Sequence, residues 1–365
     1  MVKIYLFSRT SSSYSGGVAD FSAHESVGDG HVESLRAPSG GKWGGANVDG
    51  GFVALLEMLF GTDELKGFIY GYTSEWLRFL RKYEATLQMS QANAGICLDI
   101  PLRLIDLSRE AGKSMVQSQT IGGHFSLDGT RLTIDEQITE SLYQYTMNSL
   151  CNEIDRLANI GVVADETITH VVVTGGMAAS RIVKDRLQEQ LKRYTLLFPN
   201  SGSSFALKGA VLLGYNKSLI NSRIMPLTYA LHNAVQFDET RHKDGATKDI
   251  NGKKICTENV HPLIKIGTKV KPGTELSEID MPLRATDKEH YVHVVSCGMV
   301  AELPSLVTHC CIHRETTFTI PLPFGCQVKD KIFDRVTVVG ETELSFKFKF
   351  KKGDDETYIR YLEYK

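Results

Sequence analysis

Residues 169–191 read "THVVVTGGMAASRIVKDRLQEQL", and this stretch constrains the fold more than any other. Val171, Val172 and Val173 form a short apolar, β-branched run that predicts a buried strand. It stops on Gly175-Gly176, and a helical pattern with Val183, Leu187 and Leu191 on one face begins within a few residues. A strand that turns through two glycines into a helix is the unit from which α/β sheets are built. Two physical reasons account for the glycines. A backbone without Cβ atoms lets a flat or charged ligand approach closely, beside a helix N-terminus whose N–H groups are unpaired. A Gly-Gly pair is also simply a tight turn.

Two further glycine clusters lie upstream. In "YSGGVADFSAHE", Gly16-Gly17 precede Asp20; in "SGGKWGGANVD", Gly40-Gly41 and Gly44-Gly45 precede Asp49. A glycine turn with a nearby carboxylate can cradle phosphates through backbone N–H groups and hold a hydrated Mg²⁺. Tight turns between strands explain the same residues without a ligand. The alternating segments between these glycines predict short strands over 11–51.

Helical spacing follows in Phe52, Leu55, Leu56, Leu59 and Phe60, then in "SEWLRFLRKYEATLQ" with Ser74 as N-cap. A longer helix starts at the capping-box pair Thr133 and Glu136 and stops at Gly161. "SFALKGAVLLGYNKSLI" predicts one more, with Gly209 and Gly214 permitting close packing. After Asn221 the pattern changes to short alternating runs: "HPLIKIGTKV", "HYVHVVSC", "TTFTIPLPF", "DRVTVVG" and "ELSFKFKF". In the last, Leu344, Phe346, Phe348 and Phe350 face one way and Ser345, Lys347 and Lys349 the other. The turn "KKGDDE" predicts a C-terminal hairpin with "TYIRYLEY". The expected organisation is an α/β lobe over 1–221 and a β-rich, sandwich-like domain over 222–365, opened by Pro226.

With 365 residues, 42% of them hydrophobic, the chain can bury two such cores. Its net charge of −2 provides no electrostatic footprint for nucleic acid. The seven cysteines, Cys97, Cys151, Cys256, Cys297, Cys310, Cys311 and Cys326, are scattered and odd in number, which predicts reduced thiols in the cytoplasm or nucleus. No stretch has the length and apolarity of a signal peptide or a membrane span. "HCCIH" gathers His309, Cys310, Cys311 and His313; without a C-x-x-C partner these are expected as ordinary strand residues rather than a metal or catalytic site.

In order and spacing, "SGGVADFSAHE", "SGGKWGGANVD" and "VTGGMAASRIVKDRLQEQL" resemble the motifs of the actin-like ATPase family, and within it the 70-kDa heat-shock chaperones. "GGKWGGANVDGGFVALLEMLFG" and "ALKGAVLLGYNKSLINSRIMPLTYAL" are most similar to the divergent 12A/12B branch. The resemblance implies an actin-like ATPase lobe, a mixed sheet with flanking helices, followed by a chaperone substrate-binding β-domain without a helical lid. It implies ATP or ADP with Mg²⁺ as cofactor, and unfolded or client polypeptides as partners. Nucleotide contact falls on Gly16, Gly17, Val18, Gly44, Gly45, Gly175, Gly176, Met177 and Ala178, with Ser180 near the helix start and Asp20 as the candidate catalytic carboxylate. The helix carrying Arg78, Arg81, Lys82 and Glu84 is where the family contacts adenine and ribose, although a solvated helix face explains it equally well.

The departures bear on activity. The first phosphate hairpin of the family has no counterpart upstream of residue 15, so the chain is expected to hold the second lobe only. Ser13 stands where the family has an acidic residue, and Val18 where it has threonine. The first change removes a charged Mg²⁺ partner and the second a hydroxyl donor, so hydrolysis is expected to be weak or lost. A non-enzymatic interaction module is the alternative, and a metabolite kinase of the same superfold a third reading.

Overall fold

The computed structural model describes residues 2–9, 17–90, 94–112, 120–121, 123–159, 168–200, 202–243, 245–250, 252–280, 287–298, 303–322, 332–340, 343–350 and 357–363. The chain divides into two compact units, one of residues 1–25 and 38–215, the other of residues 26–37 and 216–365.

The chain opens with β1 (Val2–Arg9) and β2 (Val18–Gly28), whose last residues, from Ser26, belong with the second unit, as does β3 (His31–Ser34). Asp29 and Gly30, both at positive φ, form the two-residue turn between β2 and β3. The first unit continues with β4 (Ser39–Gly41), α1 (Gly45–Phe60), α2 (Thr62–Gly71), α3 (Thr73–Met89), β5 (Ile96–Asp99), α4 (Leu102–Glu110), β6 (Thr120–Ile121), β7 (Phe125–Asp128) and β8 (Arg131–Ile134). Then come α5 (Glu136–Asn159), β9 (Ile168–Gly175), a 3₁₀ turn at Met177–Ala179, α6 (Arg181–Gln190), β10 (Thr195–Leu197) and α7 (Gly202–Tyr215). Its main sheet runs β10-β9-β1-β2, with β4 pairing the free side of β2; β5-β8-β7-β6 form a separate sheet.

Burial follows the sequence periodicities. On β2, Ala19, Phe21 and Ala23 are buried while Val18, Asp20 and Ser22 occupy the other, half-covered face. Val171 to Thr174 are buried without alternation, as expected of a strand covered on both faces. Helix α1 buries Phe52, Leu56 and Phe60, and Phe52 stacks on Tyr83 of α3 with ring centroids 3.7 Å apart. The α6 face of Val183, Leu187 and Leu191 is buried as its spacing predicts.

The second unit holds β11 (Ile220–Ile224), β12 (Thr228–Gln236), β13 (Thr247–Ile250), β14 (Lys253–Ile264), β15 (Lys269–Val270), β16 (Glu275–Asp280), β17 (Glu289–Cys297), β18 (Ile312–Pro321), β19 (Phe333–Val339), β20 (Glu343–Phe350) and β21 (Thr357–Glu363). Two sheets dominate: β13-β14-β12-β17-β18 and β16-β19-β20-β21. One core lies between them, where Tyr229, Leu231, Val292, Val294, Phe318 and Ile320 of the first meet Phe333, Val339, Leu344, Phe346 and Phe348 of the second. Ala230, out of phase with Tyr229 and Leu231, joins Val260 and Val295 in a smaller cluster with Leu303, Val307 and Ile312. A mixed α/β unit followed by β-rich sheets is compatible with an actin-like ATPase fold. No helix among the described residues is long and apolar enough to cross a membrane.

Several local expectations are corrected. Ser74 lies inside α3, whose N-cap is Tyr72, and α1 starts seven residues before Phe52. Thr133 belongs to β8; Asp135 caps α5, its Oδ1 accepting the Ile138 N–H at 2.9 Å. The strand ladder claims Thr133, so the next acidic side chain serves the helix. Gly209 and Gly214 of α7 face open space, where a Cβ would meet nothing within 4 Å, so they serve no close packing. His309, Cys310 and Cys311 sit in a turn, and β18 begins only at Ile312. The β20 alternation holds for Leu344, Phe346 and Phe348, all fully buried. Gly161, Cys326 and the "KKGDDE" turn lie outside the described residues.

Candidate functional site

The glycine turns reach one end of the sheet because of β1. Ser8 pairs with Ala19 of β2 on one side and with Gly175 of β9 on the other. Strands neighbour each other at about 4.8 Å, so the start of β2 and the end of β9 lie roughly 10 Å apart. Gly17 and Val18 therefore stand level with Gly175 and Gly176, more than 150 residues later in sequence. Local periodicity carries no signal of this bridge, because it does not encode pairing partners.

The second glycine cluster joins the first directly. Gly44 donates its N–H to the Gly17 carbonyl at 3.4 Å, and a Cβ on Gly17 would lie 3.9 Å from the Ala46 Cβ. Gly44 is the N-cap of α1 and Gly45 its first residue; no side chain caps this end and its first turn contains no acidic residue. The helix thus presents its N-terminal N–H groups, with their partial positive charge, beside the start of β2. Asn47 donates back to the Lys42 carbonyl and ties down the loop before the helix.

Opposite β2, the Asp20–Gly40 and Ala19–Gly41 pairs of β4 are close-fitting. A Cβ on Gly40 would fall 2.8 Å from the Ala19 carbonyl oxygen and 2.9 Å from Asp20 Oδ1. One on Gly41 would penetrate the Trp43 indole at 2.5 Å. Only glycine fits at either position, and the fit sets where Asp20 stands.

At the end of β9, Gly175 has φ of 103°, a conformation that favours glycine, whereas Gly176 is ordinary right-handed backbone at −61°. The chain makes a single 3₁₀ turn in which the Gly176 carbonyl accepts from Ala179 N at 3.1 Å and the Met177 carbonyl from Ser180 N at 3.1 Å. Ser180 is the N-cap of α6. A Cβ on Gly176 would meet nothing within 4 Å. Met177 is partly exposed and Ala178 buried, so Gly176 and Met177 form the open surface of the turn.

Asp49, one turn into α1, adds its negative charge to a buried cluster. Burial pushes the Tyr83 phenol far up, with Asp49, Tyr143 and Glu84 acting in the same direction. Burial likewise raises Tyr143, with Ser180 beside it opposing and Asp49 reinforcing. The Glu84 carboxyl is raised by burial and by Asp49, against Arg81. Arg78, Arg81 and Lys82 are exposed on α3, as a solvated helix face would be. No local sequence signal marks out Tyr83 or Tyr143.

Two glycine turns and two helix N-termini suit an anionic ligand such as a polyphosphate, and the Asp20 carboxylate suits a cation carried with it. Among the described residues no three His, Cys, Asp or Glu side chains cluster as a metal site. A Mg²⁺ would be held here by phosphate oxygens and water, with Asp20 of β2 as a candidate carboxylate. Gly16 and Ser13 fall outside the described residues.

No protein-family model matches the chain. It is 25% identical to human heat shock 70 kDa protein 12B over 293 residues, covering 78% of this chain and 42% of that protein. It is 22% identical to human heat shock 70 kDa protein 12A over 290 residues, covering 77% and 42% respectively. The mouse 12A protein matches at the same 22% and the same coverage. The chain therefore spans less than half the length of these curated relatives.

Proposed function

From the chain's relationship to the 70-kDa heat-shock proteins 12A and 12B, we propose that its first unit is a nucleotide-contacting lobe that retains binding of ADP or ATP and has lost most or all hydrolysis. The observation that carries this reading is the Ser8 register, which brings Gly17 and Gly175 to one end of the sheet. The phosphates would lie against the N-terminus of α1 at Gly45, beside the Gly17–Gly44 contact, with Val18 alongside. The adenosine would rest on Gly175, Gly176, Met177 and Ala178, where a flat ring needs the open space left by the missing Gly176 side chain.

Val18 shares a strand face with Asp20 and brings no hydroxyl to the γ-phosphate. Asp20 is the candidate to orient an attacking water; Ser13 stands where the family has a second acidic residue, and no metal-ligand cluster occurs among the described residues. Hydrolysis depends on charge stabilisation by metal and donors in place, so binding outlasts turnover when these are removed. The nucleotide-dependent chaperone reading extends to the second unit, whose two packed sheets would grip extended apolar segments of client polypeptides through backbone hydrogen bonds.

Steady-state ATP turnover and nucleotide titration, each with and without Mg²⁺, test this reading. Binding that persists without Mg²⁺, with turnover at the level of buffer, is the expected result. Turnover that requires Mg²⁺ and is lost in Asp20→Asn would make the chain an ATPase. The interaction-module reading, favoured by Ser13 in place of the family's acidic residue, predicts no nucleotide binding under either condition.

A further inference from the structure

Two thiols meet at the end of the five-stranded sheet. Cys297, the last residue of β17, is fully buried, while Cys311, just before β18, is partly exposed. Cys297 pairs with Ile312 across the ladder, and Cys311 is the turn residue just before Ile312; the two sulfurs lie 3.3 Å apart. A disulfide needs about 2.05 Å, so side-chain rotation closing about 1.3 Å would form the bond.

The neighbouring groups suit thiol exchange. The His309 Nδ1 lies 3.0 Å from the Cys311 sulfur and 3.3 Å from the Cys311 backbone nitrogen, and in the tautomer with its proton on Nε2 it accepts from both. It is placed to take the Cys311 thiol proton. Burial, then the Cys297 and Cys310 sulfurs, hold the Cys311 thiol up to about 11. A thiol held that high exchanges slowly unless a base takes its proton, and His309 is the base placed to do so. With no cluster of three metal-ligating side chains among the described residues, a dithiol couple fits the group better than a metal.

We propose that Cys297 and Cys311 form a reversible intramolecular disulfide by exchange with a low-molecular-weight disulfide such as oxidised glutathione. The Cys311 sulfur, its proton passed to His309, attacks one glutathione sulfur; the glutathione S–S bond breaks and one glutathione thiolate leaves. The Cys297 sulfur then attacks Cys311 in the mixed disulfide, and the second glutathione leaves. The two protons lost by the cysteines end on the two glutathiones, so two protein thiols are oxidised as one glutathione disulfide is reduced.

The bond would fasten the segment before β18 to the sheet it covers. That segment is already attached by Val260 N–H to the Ser305 carbonyl and by Val307 N–H to the Glu258 carbonyl, both at 2.9 Å. Leu303, Val307 and Ile312 pack there on Ala230, Val260 and Val295.

The reduced full chain, equilibrated across glutathione buffers of increasing oxidised share, would be alkylated in denaturant and mapped by peptide mass. A Cys297–Cys311 cross-link should accumulate in the unmodified chain and in Cys310→Ser, and be absent from Cys311→Ser and Cys297→Ser. If Cys297→Ser fails to fold, Cys311→Ser carries the same comparison. Both thiols still alkylated in fully oxidised glutathione, or a Cys310–Cys311 bridge as the main product, would overturn the proposal.

Discussion

Ser39 donates its hydroxyl hydrogen to Glu153 Oε1 at 2.5 Å, joining β4 to α5 across 114 residues of sequence. Glu153 also receives Arg156 Nε on its other oxygen at 2.7 Å and is almost fully buried. Burial raises the Glu153 carboxyl, but the Arg156 and Ser39 hydrogen bonds outweigh it and the net shift is downward. β4 is the strand that carries Gly40 against Asp20, so this bond anchors one wall of the candidate site to the helix layer.

Ser39→Ala should cost about 1 kcal/mol by urea denaturation, and Glu153→Ala more, because it leaves the hydroxyl and guanidinium without their acceptor. A depressed carboxyl stabilises the fold above its unfolded value, and that stabilisation disappears as pH falls through the folded value. The Ser39→Ala penalty should therefore be present at pH 7 and shrink below the ordinary glutamate range. A penalty independent of pH would mean that the bond does not depend on the ionised carboxylate.

Gly40→Ala and Gly176→Ala should behave oppositely. At Gly40 the new methyl meets a carbonyl oxygen at 2.8 Å and Asp20 Oδ1 at 2.9 Å, so the strand pair must separate. Overpacking of this kind costs about 1–3 kcal/mol. At Gly176 the backbone is right-handed and nothing lies within 4 Å, so thermal unfolding should be unchanged within a degree or two. Equal destabilisation by both would contradict the geometry of the two turns.

How far the sequence revealed this fold depends on whether each signal was local. Val183, Leu187 and Leu191, or Leu344, Phe346 and Phe348, announce their buried faces because a period of 3.6 or 2 is written into a few neighbouring residues. The role of β1 is not local. "VKIYLF" reads as a short apolar run, and only its pairing with β2 and β9 makes it the strand that aligns the glycine turns. Asp135 displaced Thr133 as the α5 cap for the same reason, since β8 pairs with β5 and β7 through residues distant in sequence. The glycines at 175–176 were legible as a turn, but their open surface at Gly176 and the tight fit at Gly40 were not, because both depend on what packs against them.

In the second unit, Arg335 is 1% exposed and donates through Nε to Asp280 Oδ2 at 2.7 Å, with Glu278 on its Nη2. His261 holds the other Glu278 oxygen at 2.9 Å. Removing a partner leaves the buried guanidinium uncompensated, whereas Asp280 and Glu278, 22% and 37% exposed, reach water when the guanidinium is removed. Asp280→Ala should destabilise by about 3 kcal/mol and Arg335→Met by less. The opposite order in chemical denaturation would mean that Arg335 is stabilised mainly by Glu278 and Thr337.

The central claim is that the glycine-lined end of the first sheet still binds an adenine nucleotide. Isothermal titration of the purified chain with ADP and ATP in Mg²⁺, beside Gly176→Glu, tests it most directly. The space around Gly176 and its ordinary backbone angles let the variant keep its fold, so a loss of binding reports on the site. The predicted result is micromolar binding by the chain and none by a folded Gly176→Glu. No heat at millimolar nucleotide, or equal binding by both, would contradict the claim and leave the glycine turns as architecture.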